Sequence, residues 1–478
     1  MSVQHRHVVG SMVSESAERD SGRARPAGLP AAILKVLLER IGYGVLPAEL
    51  AKAQAIGYDA YLDEQLSDSA GFEDSLDAFV QSRCPVETLT SAQLWAYSDV
   101  TALAQAQEAM MWRAMKSGFQ LYQRMVEFWN DHFNLFGGKP GLWNLLPVDR
   151  RTVIRAHALD SFPALLRAST KSAAALYYLD NQLSTAAHPN ENYARELLEL
   201  YSLGADNGYT QQDVMETARC FTGWGVTPFG SQPTSGLFTF NAADHDYGAK
   251  TVMGLAIPAG GGQSDAEQVV EMLAMHPNTA GFICGKLARW FLGEGVEAAV
   301  VQKAADIYLA TDGDIRSILR FLLQPGVVFG SAPKFKRPFH LYISALRLLP
   351  ATYSIYGLGN QRARLSAAGH LPYTFATPNG APDRNDAWKA LLLPRWNYFS
   401  ELCAGVIWDT SIDLNTFFQG TTNAQQVANA IDAQIFSNLM DPADKVDVLA
   451  FLNGGTLNAT RKAEALALAL SSPGFQWF

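Results

Sequence analysis

The sequence predicts a mainly α protein, a large multi-helix globular domain with a small β-hairpin or loop insertion. Apolar residues recur at helical spacing along most of the 478 residues, and many stretches are rich in Ala, Gln and Leu. No repeat of about 20–50 residues occurs, which argues against a solenoid. Hydrophobic residues make up 48% and charged residues 17%, so the chain can bury a sizeable core and is not mainly disordered.

The first predicted helix covers residues 30–40, which begin with Pro30 and place Ile33 and Leu37 on one face. It ends before the turn residues Gly42 and Gly44. Helical spacing then predicts further helices over 47–67, 91–117, 118–136, 149–158, 161–169, 172–184, 190–203 and 210–223.

The middle of the chain changes character. Residues 224–262 carry many Gly, Pro, Thr and Ser, with short alternating pieces that predict a small hairpin. Helices are predicted again over 264–275, 278–292, 296–310, 313–324 and 335–349. The predicted organisation is a disordered tail (1–28), a first helical part (29–225), the hairpin or loop insertion (226–262), a second helical part (263–350), an irregular loop (351–385) and C-terminal helices (386–478).

The charge balance and the ends of the chain bear on partners and compartment. The formal charge is −9 without a basic block, which argues against nucleic acid as a partner. No run reaches the roughly 20 apolar residues of a membrane span, and no signal peptide is visible, so the sequence by itself predicts a cytoplasmic protein. The four cysteines lie far apart and are expected to be isolated buried thiols.

One candidate segment is RMVEFWNDHFN, residues 124–134. On a helix, Arg124, Glu127 and Asp131 form one charged stripe. His132 shares another, apolar stripe with Phe128, and a buried imidazole must find a hydrogen-bond partner or a metal. His132 is therefore either a satisfied core histidine or a ligand or acid–base group.

A second candidate is HPNENYARELLELYSLG, residues 188–204, which Asn190 and Gly204 would cap. Glu191, Arg195 and Glu199 stack at i, i+4 and i+8, while Asn192, Glu196 and Glu199 line the adjacent stripe. These side chains form either a solvated face with ion pairs or a site. In a site, Glu196 and Glu199 could share a proton or a cation, because close like charges raise one pKa.

Together with His132, the two glutamates would suit a divalent metal. The helical di-metal pattern ExxH is missing from both segments, as are HExxH, GxSxG, Walker A and GxGxxG. The cofactor is left unknown, with a divalent metal as one option.

A third fragment, DHDYGAK (244–250), lies in the irregular middle and places His245 between two aspartates, followed by Lys250. A loop histidine beside a carboxylate is a common way to hold a metal ligand or an oriented base. Ordinary polar loop chemistry is the alternative.

These segments resemble the bacterial family catalogued as domain of unknown function 1800. The similarity rests on PNENYARELLELYSLG followed by GYTQQDVMETARCFTGW, supported by RMVEFWNDHF, HDYGAKTVMG, KFKRPFHLYISALRLL and LSSPGFQWF. It extends over roughly residues 30–478. The chain has Asn130-Asp131 before His132 where the family more usually shows His-Asn. If that first histidine is a ligand in relatives, either Asp131 replaces it here or the site is lost.

The resemblance implies a helical fold and leaves the function open. Family members often carry export signals and are encoded beside a sulfatase-like family. By analogy this implies a periplasmic or extracellular location, work on an envelope polymer and a sulfatase-like partner. The lack of a visible signal peptide puts export in doubt.

From these observations we expect an enzyme, a hydrolase or transferase acting on a glycan or envelope-associated polymer. The candidate catalytic residues are Glu191, Glu196, His132, His245 and Asp246, and the candidate substrate-binding residues are Arg195, Lys250, Asn192 and Trp129. A non-catalytic binding or export and assembly protein is the rival, with partner surfaces at 226–262 and 351–385. A metal-dependent oxidoreductase is the second alternative.

Overall fold

A computed structural model describes residues 31–67, 73–230 and 232–478. The predicted disordered tail (1–28) lies outside the described residues. The α-helices are Ala31–Ile41, Pro47–Ile56, Tyr58–Gln65, Asp74–Arg83, Ser91–Leu94, Asp99–Lys116, Gln120–His132, Leu146–Asp149, Phe162–Thr170, Ala173–Tyr178, Glu191–Glu196, Gln211–Cys220, Gln263–Ala274, Pro277–Leu292, Ala298–Ala310, Ile315–Leu322, Pro325–Val328, Pro338–Leu348, Gly359–Ala367, Asn385–Lys389, Leu392–Cys403, Leu414–Phe417, Ala424–Ile435, Pro442–Asn453, Ala459–Ser471 and Pro473–Gln476.

Two predicted helices contain π-helical turns. Arg150–Arg155 follows the short helix Leu146–Asp149, and Leu197–Ser202 continues the helix Glu191–Glu196. Short 3₁₀ turns lie at Pro85–Thr88, Leu142–Asn144, Asn181–Leu183 and Ala242–Asp244. Pattern analysis did not distinguish π from α turns, because apolar spacing over six residues fits both. π turns are rare and often occur at functional sites.

The strands form three antiparallel two-stranded ribbons. Trp224–Val226 pairs with Phe238–Phe240, and Lys250–Val252 pairs with Leu255–Ile257, which confirms β structure in the predicted insertion. The third ribbon pairs Ala351–Tyr353 with Thr410–Ile412 and was not predicted. Strands of three residues are too short to show an alternating pattern, and this pair joins distant parts of the chain. The segment 351–385 also contains the helix Gly359–Ala367.

The buried apolar residues form two large cores. The first core is built from residues 33–66, 121–133 and 153–328, and the second from residue 43, 76–115, 135–174 and 339–475. Each core thus collects helices from well-separated parts of the chain. The described chain is mainly α with small β insertions, as predicted.

The helix Gln120–His132, which we call the central helix, lies where the two cores meet. Its apolar residues, such as Met125 and Trp129, pack into the first core. Its charged stripe instead contacts Tyr43, which belongs to the second core. Every residue of this helix except Asp131 is buried, including its polar ones. The fold therefore encloses charged side chains, which must find partners.

Two findings concern compartment and redox chemistry. Within the described ranges, no helix has the length and apolar character needed to cross a membrane. Cys84, Cys220, Cys284 and Cys403 are free and buried, as expected from their spacing.

Candidate functional site

The charged stripe of the central helix forms an ion network, which we define as Tyr43, Arg124, Glu127, Asp131 and Arg337. Glu127 accepts hydrogen bonds from Arg337 at 2.6 Å, Arg124 at 2.5 Å and the Tyr43 hydroxyl at 2.7 Å. Arg337 also donates to Asp131 at 2.6 Å. Arg337 thus bridges two carboxylates of the central helix from a segment that is distant in sequence.

The pKa values of the two carboxylates shift in opposite directions. Burial alone would raise the pKa of Glu127, but Arg124 and Arg337 outweigh it and lower that pKa below its usual range. Although 21% of the Asp131 side chain is exposed, burial raises the pKa of Asp131 to about 6, because Arg337 offsets the burial only in part. Glu127 is therefore a fixed anion, while Asp131 can exchange a proton near neutral pH.

His132 is buried and holds two hydrogen bonds. Its Nε2 lies 3.2 Å from the carbonyl oxygen of Tyr201, and its Nδ1 lies 2.8 Å from Nζ of Lys286. A carbonyl can only accept and an ammonium can only donate, so the ring is neutral with its proton on Nε2. Burial lowers the pKa of His132 well below its usual range, and Lys286 adds to that effect. The buried face predicted for His132 is confirmed.

Lys286 reaches this region from the helix Pro277–Leu292. Burial lowers the pKa of Lys286 to about 8, and the carboxylates Asp131 and Asp383 oppose that shift. A carboxyl with a pKa near 6 thus lies in the field of an ammonium with a pKa near 8. Groups whose pKa values are moved towards neutrality in this way are suited to acid–base chemistry.

A loop covers the end of the central helix. The Asn134 side chain donates to the carbonyls of Phe375 and Thr377 at 3.0 and 2.8 Å. Gly380 has a φ of +71°, and a Cβ there would lie 2.2 Å from the backbone oxygen of Asp131. The close approach of this loop to Asp131 therefore requires glycine at position 380.

The two π-helical turns both contribute to the surroundings of the central helix. Leu197–Ser202 supplies the Tyr201 carbonyl that binds His132. Arg150–Arg155 supplies Arg150 and Arg155 to a small cavity beside Glu127. A second small cavity is also lined by Glu127, together with Asp131, His370 and others.

The helix Glu191–Glu196 carries its charges at the surface. Asn190 caps it by accepting from the amide of Tyr193 at 3.0 Å, as predicted. The Gln211 amide donates to Glu191 at 2.8 Å and accepts from Arg195 at 2.9 Å. Glu191 and Arg195 lie 3.9 Å apart, with side chains 47% and 41% exposed. This is the arrangement of a solvated, ion-paired face.

Glu196 lies on the less exposed side of the same helix. Partial burial raises its pKa, and Glu199 raises it further, in the direction expected for two carboxylates one turn apart. Tyr201 lies in the field of Glu196, so Glu196 and His132 border the same tyrosine. Asn192 is exposed.

The third candidate fragment forms a separate buried cluster. His245 contacts the carbonyl of Thr222 through Nδ1 at 2.8 Å and Asp265 through Nε2 at 3.3 Å. Lys250 donates to Asp265 at 2.7 Å and to backbone carbonyls of the same loop, including that of Gly248 at 3.0 Å. The side chains of His245, Lys250 and Asp265 have no exposed surface.

Asp246, next to His245, is held by Arg219. The Arg219 Nε and NH2 groups contact its two carboxylate oxygens at 2.6 and 3.2 Å. Hydrogen bonding by Arg219 lowers the pKa of Asp246. These contacts tie the loop to the helix Gln211–Cys220.

Trp129, the candidate for sugar stacking, is a core residue. Its indole nitrogen donates to the carbonyl of Ala158 at 3.0 Å, and its ring is 0% exposed and contacts Phe128, Phe133 and Phe162. It has no free face for a sugar.

The structure thus brings His132 and Glu196 to one region and leaves His245 in another. No hydrogen bond, ion pair or ring contact among the described residues joins the His245 cluster to His132 or Glu196. Across the ranges that the structure describes, no three His, Cys, Asp or Glu side chains converge as a metal-ligand set. The combination of Glu196, Glu199 and His132 as metal ligands is therefore not found.

Two residues of the site were missed by sequence analysis. Lys286 stands in the apolar stretch FICGKLARWF, and a lone lysine between helix-face residues such as Ile283 and Leu287 was the available signal. Arg337 ends the basic run KFKR just before a helix whose residues are all buried. Charges next to buried segments need partners, and neither signal identifies which partners they have.

Comparison with known proteins gives one family. The model of the family described as "Protein of unknown function (DUF1800)" matches residues 36–477, nearly the whole chain. No curated protein and no solved structure matches the chain.

Proposed function

The chain belongs to this family of unknown function, and from its own residues we propose that it is an enzyme, a hydrolase or transferase, whose acid–base groups are Asp131 and Lys286. His132 positions Lys286. Glu196 lies in the field of Tyr201, whose carbonyl binds His132, and Glu199 lies in the field of Glu196.

One observation supports this proposal above the others. Asp131 has a pKa of about 6 and Lys286 a pKa of about 8, and Asp131 is one of the two carboxylates whose charge raises the pKa of Lys286. Between these values Asp131 is ionised and can accept a proton, while Lys286 is protonated and can donate one. Such a pair can provide both the proton acceptor and the proton donor that a hydrolysis or a group transfer needs at neutral pH.

The contacts of each group fit these roles. Arg337 holds one carboxylate oxygen of Asp131 and leaves the other to face a hydroxyl or water. The neutral ring of His132 accepts a hydrogen bond from Lys286, which fixes the direction of the ammonium. His132 is fixed in turn by Tyr201 and by the aromatic rings around it.

For the substrate we propose a glycan or another polymer with hydroxyl groups. Cleavage of a glycosidic or ester bond needs a proton donor and a proton acceptor and requires no further group. The exposed side chains of Glu191, Asn192 and Arg195 offer hydrogen-bonding groups on the neighbouring helix.

The test is a hydrolysis screen over polysaccharides and acylated glycans, scored by reducing-end and ester release. With any substrate found, Asp131→Asn and Lys286→Met should each lower kcat/KM by about 10²–10⁴-fold. Asp386→Asn is the matched control, because the Asp386 side chain is 73% exposed and lies in a separate ion pair. It should retain wild-type activity.

Two outcomes would contradict this assignment. If Glu196→Gln abolished activity while Asp131→Asn kept it, the reacting centre would be the glutamate pair. If the Asp131 and Lys286 variants stayed folded by circular dichroism and stayed fully active, the acid–base proposal would be wrong.

A non-catalytic binding or assembly role is the second candidate, and one observation favours it. Ile355 and Tyr356 are 74% and 85% exposed, and Val406 and Trp408 are 60% and 72% exposed. The amide of Ser354 donates to the carbonyl of Asp409 at 2.9 Å, so the two apolar loops lie at the same end of one ribbon. Exposed apolar groups of this kind often mark an interaction surface.

This role predicts that replacing Tyr356 and Trp408 by serine abolishes binding to a purified partner, beginning with a sulfatase-like protein, at unchanged Tm. Binding by the double variant at wild-type affinity, measured by calorimetry, would eliminate this surface. The exposed Leu183→Ser serves as the control.

A further inference from the structure

A small cavity beside Glu127 is surrounded by positive charge. Its volume is about 10 Å³, and its charged lining consists of Arg113, Arg150, Arg155 and Glu127. Gln123 and apolar groups complete the wall. A cavity of this size admits an occupant of about the size of one water molecule.

The charges around the cavity do not balance. Asp77 and Glu87 pair with Arg113, and Glu87 also pairs with Arg150. Among the described residues, the half-buried Arg155 side chain has as polar partners only the Gln123 side-chain oxygen at 3.2 Å and the face of Tyr122 at 5.0 Å. Within the described part of the chain, no carboxylate lies within ion-pair distance of Arg155. One guanidinium at the cavity thus lacks an anion.

Glu127 does not supply that anion. Both of its carboxylate oxygens already accept hydrogen bonds from Arg124, Arg337 and Tyr43, so its charge is already paired. Burial lowers the pKa of Arg155, and its neighbours Arg113 and Arg150 lower it further. Buried nitrogens that lack a hydrogen-bond partner, Nε of Arg113 and Nε of Arg150, add unused donors.

The π-helical turn explains how two of these arginines meet at one place. In an α-helix, residues five apart point about 140° away from each other. The wider π turn, with its i to i+5 hydrogen bonds, brings them to the same side. Arg150 and Arg155 are the first and last residues of the turn Arg150–Arg155.

We propose that this cavity binds a single monatomic anion, chloride in the cell, between Arg113, Arg150 and Arg155. The anion offsets the unpaired charge of Arg155 and accepts the unused donors, which stabilises the junction of the two cores beside Glu127.

The test compares the Tm of the full chain in sodium chloride and in sodium gluconate at constant ionic strength. Chloride should raise the Tm in a saturable way, by about 2–3 °C at a hundredfold excess over the Kd. Arg155→Gln should lose this response. Arg167→Gln is the control, because Arg167 forms an exposed pair with Glu271 at 2.7 Å, and it should keep the response.

A second measurement does not depend on any variant. Crystals of the wild type soaked in sodium bromide should show an anomalous peak between the three arginines. No peak there, or an equal chloride response in wild type and Arg155→Gln, would overturn the proposal. A response to phosphate but not to chloride would overturn it as well.

Discussion

Two helices of this protein carry similar charged side chains in opposite settings. On the central helix, Glu127 is 4% exposed and is held by two arginines and a tyrosine. On the helix Glu191–Glu196, Glu191 has a 47% exposed side chain and pairs loosely with Arg195 within its own helix. The comparison teaches that partners from distant segments, more than residue types, distinguish an enclosed ion network from a solvated face.

The largest expected effect tests this comparison with one chemical change at two places. Glu127→Gln should lower the free energy of unfolding by about 3–5 kcal/mol, because Arg124 would keep a buried charge without its anion and Arg337 would keep only Asp131. Glu191→Gln should change it by no more than about 0.5 kcal/mol, because an exposed ion pair contributes little. Urea denaturation of both variants measures the difference. Equal effects would mean that the network is not enclosed.

The next effect concerns the loop that covers Asp131. Gly380→Ala should destabilise the protein by about 2–3 kcal/mol, because the backbone is left-handed there and the new Cβ meets the Asp131 carbonyl. The matched control is Gly281→Ala, within the helix Pro277–Leu292 and with nothing within 4 Å of its added Cβ. It should be neutral or stabilising by up to about 1 kcal/mol. Thermal unfolding distinguishes the two variants.

The pH dependence of stability separates the two titrating groups. Burial raises the pKa of folded Asp131 to about 6. The stabilising contribution of Asp131 to the free energy of unfolding is therefore full below about pH 4 and is lost as the pH rises through 6. The stability of wild type relative to Asp131→Asn should therefore fall across this window. Burial lowers the pKa of folded Lys286 to about 8. The stabilising contribution of Lys286 to the free energy of unfolding is therefore present above about pH 10.5 and is lost as the pH falls through 8.

Urea titrations at stepped pH measure both windows. Lys286→Met should remove the alkaline dependence and keep the acidic one, so each variant controls the other. An unchanged profile in Asp131→Asn would contradict the assignment of the acidic window.

The smallest effect is expected at the solvated face. Gln211→Ala removes the amide that links Glu191 to Arg195 and should cost no more than about 0.5 kcal/mol, because water can replace both hydrogen bonds. A loss above 1 kcal/mol in urea denaturation would show that this surface is part of an organised site.

The sequence predicted the local part of this arrangement. The mainly α fold, the charged stripe of Arg124, Glu127 and Asp131, the burial of His132 and the Asn190 cap all follow from spacing along one helix. The partners do not follow from spacing. Arg337 is 206 residues from Asp131, and Lys286 is 154 residues from His132, so only the folded chain reveals that these side chains meet.

The surroundings of the predicted site residues also depend on partners that are distant in sequence. Asp246 and Lys250 are residue types that often occur in functional sites. In this structure Asp246 pairs with Arg219 and Lys250 pairs with Asp265, and these contacts fasten the loop to its neighbours. Trp129 carries a sugar-stacking side chain, but its helix turns it into the first core. Burial depends on the tertiary packing of the whole chain, which a short motif does not contain.

The pKa of Lys286 tests the central claim most directly. Competitive labelling with an amine-reactive reagent across pH 6–11, read by mass spectrometry, gives this value, with the exposed Lys303 as the reference for reagent reactivity. The predicted result is a pKa of about 8 in the wild type and a lower one in Asp131→Asn, because Asp131 raises it. A pKa near 10.5 in both proteins would contradict an acid–base centre at Asp131 and Lys286.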